Sequence, residues 1–154
     1  MAHATCRRLL ALSQESDAPI TLLISSPGGH VESCDAIHDM IRFCGPRVKM
    51  IGTGWVASAG AHIFLGAEKE TRFCLPNTRF LLHQPLGGAS GQASDIEIAT
   101  RDMLRTRDQL YNILSKHSGK SFDQVMKDCD RNHWMTAEEA KAYGLVDEII
   151  EKRR

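Results

Sequence analysis

The sequence predicts an α/β fold built on a mainly parallel sheet. Three observations carry that prediction. Short apolar runs of buried-strand type, such as residues 20–24 and 48–51, alternate with stretches of helical periodicity. Glycine- and proline-rich breakers separate these elements. Paired capping residues mark several helix starts.

Taken in order, the residues up to Leu12 read as a helix with Leu9, Leu10 and Leu12 on its inner side, and residues 13–19 as a polar loop. Residues 20–24 form a strand that ends in the breaker run Ser25, Ser26, Pro27, Gly28, Gly29. Helical spacing resumes from Val31 to about Phe43, with Ala36, Ile37, Met40 and Ile41 on one face. Gly45 and Pro46 end it. Residues 48–51 form a second strand, and a helix starts near Ser58. Two short strands, 72–75 and 80–83, are split by Pro76 and Asn77. The longest helix runs from about Asp95 to His117, with Ser94 and Glu97 spaced as a capping box and Gly119 after its end. Ile96, Ala99, Met103, Leu110 and Leu114 line one side. Such a helix spans roughly 35 Å, more than a small domain needs, which points to packing against another subunit. Ser121 with Gln124 and Thr136 with Glu139 are two further capping boxes. Gly144 closes a short helix before a terminal strand over 145–150.

Composition narrows the function. The chain has 154 residues, with Lys+Arg and Asp+Glu both at 19, so the formal net charge is zero. There is no basic excess of the kind a nucleic-acid binder carries, and no polybasic membrane patch. A neutral surface does little to oppose self-association. The five cysteines are widely spaced and form no C-x-x-C, so zinc-ribbon and thioredoxin-like readings lack support. They read as reduced, buried thiols of a cytoplasmic protein. The apolar run at residues 9–12 is too short for a signal peptide. Residues 50–67 lack Asp, Glu, Lys and Arg but hold four glycines, which suits a buried strand–turn–helix and not a membrane span.

Two side chains stand out as chemical candidates. Ser58 lies where a strand turns sharply into a helix among small residues. A helix N-terminus there would put backbone N–H groups beside its hydroxyl. The setting is not the G-x-S-x-G elbow, because Val56 replaces the first glycine. A serine that merely caps a helix explains the local pattern about as well. His83 ends an apolar strand ahead of Gln84, Pro85, Leu86, Gly87 and Gly88. It could take a proton from Ser58, although a lone histidine is more often a hydrogen-bonded core residue. The glycines of the 26–29 turn permit close approach to a ligand. His30, His38 and His62 lie on helical segments without metal-ligand spacing, so no metal or other cofactor is expected.

Together these segments resemble the ClpP family of self-compartmentalising serine proteases. I-S-S-P-G-G at 24–29 is similar to its N-S-P-G-G turn, and A-S-A-G at 57–60 to its A-S-M-G nucleophile segment. L-P-N at 75–77, H-Q-P-L-G-G at 83–88 and G-Q-A-S-D-I-E-I at 91–98 follow in order, then M-T-A-E-E-A at 135–140 and Y-G-L-V-D at 143–147. The likeness runs from about Leu9 to the end. It implies a ClpP/crotonase-type spiral of ββα units with a projecting handle helix, in one peptidase domain over 1–154. It implies Ser58 as nucleophile, His83 as general base, and the Gly29 and Ala59 N–H groups as the oxyanion hole. Val31 and Leu86 would flank the peptide cleft, and the stretch from Gly87 and Gly88 to Gly91 would pair with extended substrate. The helix from Asp95 would be the handle between two rings, expected as a double heptamer. An AAA+ Clp ATPase would feed it unfolded polypeptide.

Three departures qualify the likeness. The family's catalytic aspartate falls on Asn132, which can orient an imidazole but cannot stabilise its charge. Asp130 or Asp128 would serve only through a shift of the segment. Trp55 and Val56 stand where the family has Gln-Ala, and the bulkier pair would reshape the wall beside Ser58. The family pattern also carries roughly forty residues before this sequence starts, including the axial loops that engage the ATPase. The leading expectation is a serine endopeptidase with a Ser58–His83–Asn132 site. A weakly active structural subunit of a mixed ring is the second reading. An acyl-CoA hydratase of the crotonase type is the third, disfavoured by the lack of a catalytic glutamate pair.

Overall fold

The computed structural model describes residues 1–152, with Pro46 as backbone only. Among the described residues six α-helices and six strands follow in the order α1 (Ala2–Glu15), β1 (Ile20–Ser26), α2 (Val31–Phe43), β2 (Val48–Ala57), α3 (Ala59–Phe64), β3 (Arg72–Cys74), β4 (Arg79–Leu82), α4 (Ala93–Ser118), α5 (Phe122–Asp128), β5 (His133–Met135), α6 (Ala137–Tyr143) and β6 (Glu148–Ile149). The sheet runs β5-β4-β2-β3-β6, with β1 also paired to β2. Every pairing is parallel except β4 with β5.

β2 organises the molecule. Its first half pairs with β3 through Met50, Ile51 and Gly52, and its second half with β4 through Trp55, Val56 and Ala57. Against β1 the register jumps from Ile24↔Gly52 to Ser26↔Val56, a bulge in which Gly54 adopts φ +62°. The strand therefore continues past Ile51, where the sequence pattern ends it, because Gly52 and Gly54 serve a bulge and not a turn. The bend carries the chain from one part of the sheet to another and delivers Ser58 at its end.

Apolar side chains of all the larger elements join one core, including Leu9, Ile37, Ile41, Met50, Phe64, Phe80, Tyr111 and Leu145. Burial here is the main favourable term, about 25 cal/mol per Å² of apolar surface. On α1 only Leu9 is fully buried, while Leu10 and Leu12 are half-buried. On α2 the buried stripe is Cys34, Ile37, His38 and Ile41, and Ala36 faces solvent. That stripe follows the i, i+3, i+4, i+7 spacing more closely than the expected face. Ser94 is no cap: α4 starts two residues after Gly91, with Gln92 at its N-cap position and no side-chain cap. Glu97 instead accepts from Arg101 at 2.6 Å, one turn on. Ser121 does accept from the Gln124 N–H, but the Gln124 side chain turns to Asp128, so that box is half formed. Thr136 and Glu139 form the complete box. The terminal strand is only Glu148–Ile149, because the N–H groups of Leu145 and Val146 donate to Ala140 O at the end of α6 and both residues are buried in the core. It is held by Asp147, whose Oδ2 accepts from the Arg72 N–H at 2.9 Å and lies 3.6 Å from the buried Arg72 Nε.

Candidate active site

Ser58 sits at the junction of β2 and α3 with φ 53° and ψ −122°, a backbone region that non-glycine residues rarely enter. Its N–H donates to Leu81 O at 2.8 Å, which ties the strained turn to β4. The turn is braced from the other side by Gly28, at φ +97°. A Cβ there would lie 2.7 Å from Ser58 Cβ and 2.9 Å from Ala57 O, so only glycine lets the 26–29 turn press against the serine. Gly29 follows with φ +146°. Ala59 opens α3, at the end where backbone N–H groups have no partner within the helix.

His83 immediately follows β4. Its Nε2 is 2.7 Å from Ser58 Oγ, and its Nδ1 is 3.0 Å from Asn132 Oδ1. An amide oxygen only accepts, so Nδ1 carries the proton and donates to Asn132. That leaves the Nε2 lone pair to accept the Ser58 hydroxyl proton. Residues far apart in sequence meet because β4 and β5 are antiparallel. Leu82 is paired with His133, and one step further along each strand His83 faces Asn132. Gln84 fastens the same loop twice, its N–H donating to Cys129 O at 2.7 Å and its Nε2 to Asp130 O at 2.9 Å. Asp128 is committed elsewhere, accepting from Gln124 and from the Tyr143 hydroxyl at 2.8 Å. Asp130 is exposed beside Arg131. Asn132, and neither aspartate, is therefore the group on His83.

A cavity of about 260 Å³ opens at Ser58 and His83. Gly29, Ala59, Val31 and Leu86 line it, as do Pro27, Cys34, His62 and, from α4, Leu110, Tyr111 and Leu114. Its wall is mostly apolar, which suits a hydrophobic side chain placed next to a reactive serine. Gly87 borders a second depression with Met103 and Asn132, whereas Gly88 is exposed and lines neither. Trp55 and Val56 do not shape the wall beside Ser58: Val56 faces the core and Trp55 points outward. Alternation along β2 sends the two in opposite directions.

The sequence reading missed Cys34, His62, Tyr111 and Gln84. Tyr111 and His62 carried only a core-like signal, and the contact of α3 with α2 that brings His62 to Cys34 has no local mark. Cys34 Sγ donates to Ala59 O at 3.0 Å, and His62 Nε2 is 3.1 Å from Asp35 Oδ1. Burial, helped by neighbouring His38, pushes the His62 imidazole down to about 4. Burial and the Asp35 charge push the Cys34 thiol up to about 12.

A serine hydroxyl held on an oriented imidazole, in a bulged α/β sheet, is the arrangement of a serine hydrolase. The model of the Clp protease family matches residues 1–153. The chain is 57% identical over 150 residues to ATP-dependent Clp protease proteolytic subunit 3 of Rhizobium meliloti (strain 1021), covering 97% of this chain and 77% of that protein. It is 50% identical to proteolytic subunit 2 of Pseudomonas aeruginosa PAO1, over all of this chain and 77% of that protein. Among solved structures, an asparagine-to-aspartate variant of ClpP1 from Listeria monocytogenes superposes with a TM-score of 0.92 at 49% identity, covering 99% of this chain and 85% of that one. The chain belongs to the Clp protease family and has its ClpP-type fold. Its activity is that of a serine endopeptidase, and neither the structural-subunit nor the hydratase reading is favoured.

Proposed function

We propose that Ser58, His83 and Asn132 carry out the hydrolysis. Ser58 Oγ attacks the scissile carbonyl as His83 Nε2 takes its proton, and His83 then returns that proton to the leaving amine. Asn132 holds the imidazole in the tautomer this requires. The N–H groups of Gly29 and Ala59 receive the oxyanion. Val31 and Leu86 flank the side chain that enters the apolar cavity, while Gly87 and Gly88 offer backbone to an extended substrate. The observation that carries the reading is the unbroken chain of two hydrogen bonds, 2.7 Å and 3.0 Å, from Ser58 through His83 to Asn132.

The remaining parts of the proposal rest on the family. Residues 1–154 act as one peptidase domain that stacks in rings, a double heptamer with α4 as the handle. A Clp ATPase delivers unfolded polypeptide to the chamber, in line with the naming of the relatives. The five free cysteines suit a reducing, cytoplasmic setting. Among the described residues no helix is long and apolar enough to cross a membrane.

A fluorophosphonate probe tests the site. The assembled protein is expected to label on one residue, and Ser58→Ala to abolish the label. Equal labelling of that variant, or no labelling of the assembled wild type, overturns the assignment.

A further inference from the structure

Behind the nucleophile lies a group of side chains that the hydrolytic reading does not use. Cys34 and Asp35, near the start of α2, meet His62 on α3, and one donor atom from each residue lies within 4.8 Å of the others. Ligands 2.0–2.3 Å from a tetrahedral zinc ion stand roughly 3.3–3.6 Å apart. His62 Nε2 and Asp35 Oδ1 are 3.1 Å apart in a hydrogen bond, so a few tenths of an ångström of separation reaches that spacing. His62 is buried, and its Nδ1 has no hydrogen-bond partner. Asp35 is partly exposed and gives an ion a way in from solvent.

From this geometry we infer that Cys34, Asp35 and His62 form a binding site for a zinc-like divalent cation, with an open fourth position facing the cavity at Ser58. Thiol, imidazole and carboxylate are the donor types zinc takes, and three protein ligands leave one position for water. The charges suit the place: a dication with one thiolate and one carboxylate is neutral overall, so burial costs less than for any one of them alone. Asp35 accepts from the His62 Nε2–H, so binding at Nε2 moves that ring proton to Nδ1, while the Cys34 S–H bond is replaced by a sulfur–metal bond and the thiol proton is released to solvent, so affinity rises with pH. It also takes the thiol off Ala59 O, its partner at 3.0 Å in the turn that carries Ser58. A hydrated cation in an otherwise apolar cavity opposes entry of a hydrophobic side chain. Zinc therefore inhibits peptide hydrolysis, a consequence that rests on the protease reading, whereas the binding site itself does not.

The experiment has two arms. In the first, the Ser58→Ala protein is titrated with cobalt(II) as a spectroscopic stand-in for zinc. One equivalent is expected to bind with a thiolate-to-cobalt charge-transfer band. Cys34→Ser removes the band, and Asp35→Asn, at a partly exposed position, weakens binding at least about tenfold. No band in the parent protein, or an undiminished band in Cys34→Ser, overturns the site. In the second arm, zinc is expected to inhibit wild-type hydrolysis of a fluorogenic peptide, with the midpoint raised about tenfold in Asp35→Asn. Equal midpoints overturn the inhibitory role and place inhibiting zinc elsewhere. Absence of hydrolysis and of fluorophosphonate labelling counts against the protease reading alone, since the cobalt arm needs no activity.

Discussion

At the scale of single residues, the feature that sets this site apart is an amide where a carboxylate is usual. Asn132 Oδ1 accepts from His83 Nδ1 at 3.0 Å, so the orientation of the imidazole is complete. What the amide lacks is charge to stabilise the imidazolium that forms as Ser58 gives up its proton. In a serine protease where the triad aspartate is replaced by asparagine, kcat falls by about 10⁴. Asn132→Asp is therefore expected to raise kcat on a short peptide, with that factor as the upper bound. Asn132→Leu, which removes the acceptor, should lower kcat while leaving KM little changed. Equal kcat in Asn132→Asp and wild type would mean that Asn132 does not govern proton transfer. Ser58 and His83 were legible in the sequence because small residues and a strand end marked them. Asn132 is marked only by its place in the family pattern, since the register of β4 on β5 that brings it to His83 leaves no local trace. The same holds for His62 and Cys34, which read as helix residues until α2 and α3 are packed.

At the scale of elements, α4 divides into two halves with different surroundings. Its C-terminal half enters the core through Tyr111 and Leu114 and helps wall the cavity. Its N-terminal half, apart from Met103 beside Gly87, is largely exposed and shows apolar side chains, with Ile96 at 39%, Ile98 at 63% and Leu104 at 45% of full exposure. Exposed aliphatic residues along one helix mark a surface that another chain covers. On the proposed ring stacking, Ile98→Glu is expected to lower the assembly mass in sedimentation while leaving the melting of the subunit fold nearly unchanged. An exposed substitution of this kind costs within about 0.5 kcal/mol. An unchanged assembly mass would remove the handle from the interface. The length and apolar content of this helix were readable in advance, because periodicity over many residues averages out local noise. Its start was not, since Ser94 and Glu97 have capping spacing yet the backbone enters the helix earlier. The extent of β2 is hidden from the local sequence for a related reason. Gly52 and Gly54 signal a break, and whether that break is a turn or a bulge depends on the register with β1, which lies outside the local sequence.

At the scale of the whole molecule, a chain of zero net charge hides several ionisable groups in its interior, and that makes its stability depend on pH. The buried Arg72, its guanidinium brought below the usual range by burial and partly restored by Asp147, ties β6 to β3. Burial pushes His62 and His117 down to about 4, and lowers His38 as well. Asp35 and Asp39 on α2 pull the other way at the stacked His38–His62 pair but do not outweigh burial. In the unfolded chain these imidazoles protonate near 6.5. Between about pH 6.5 and pH 4 the unfolded state therefore binds more protons than the folded state, and stability rises with pH across that window. It is fully present above about 6.5 and is lost progressively on acidification, with the loss complete only below about 4. Each such histidine contributes a slope of at most about 1.4 kcal/mol per pH unit. The urea midpoint, measured with a chelator present to keep metal off His62, is expected to fall between pH 7.5 and pH 5. His62→Gln should reduce that fall, because one group then no longer titrates. Identical midpoints at the two pH values would show that these imidazoles bind protons equally in the folded and unfolded chain, so that burial does not depress them.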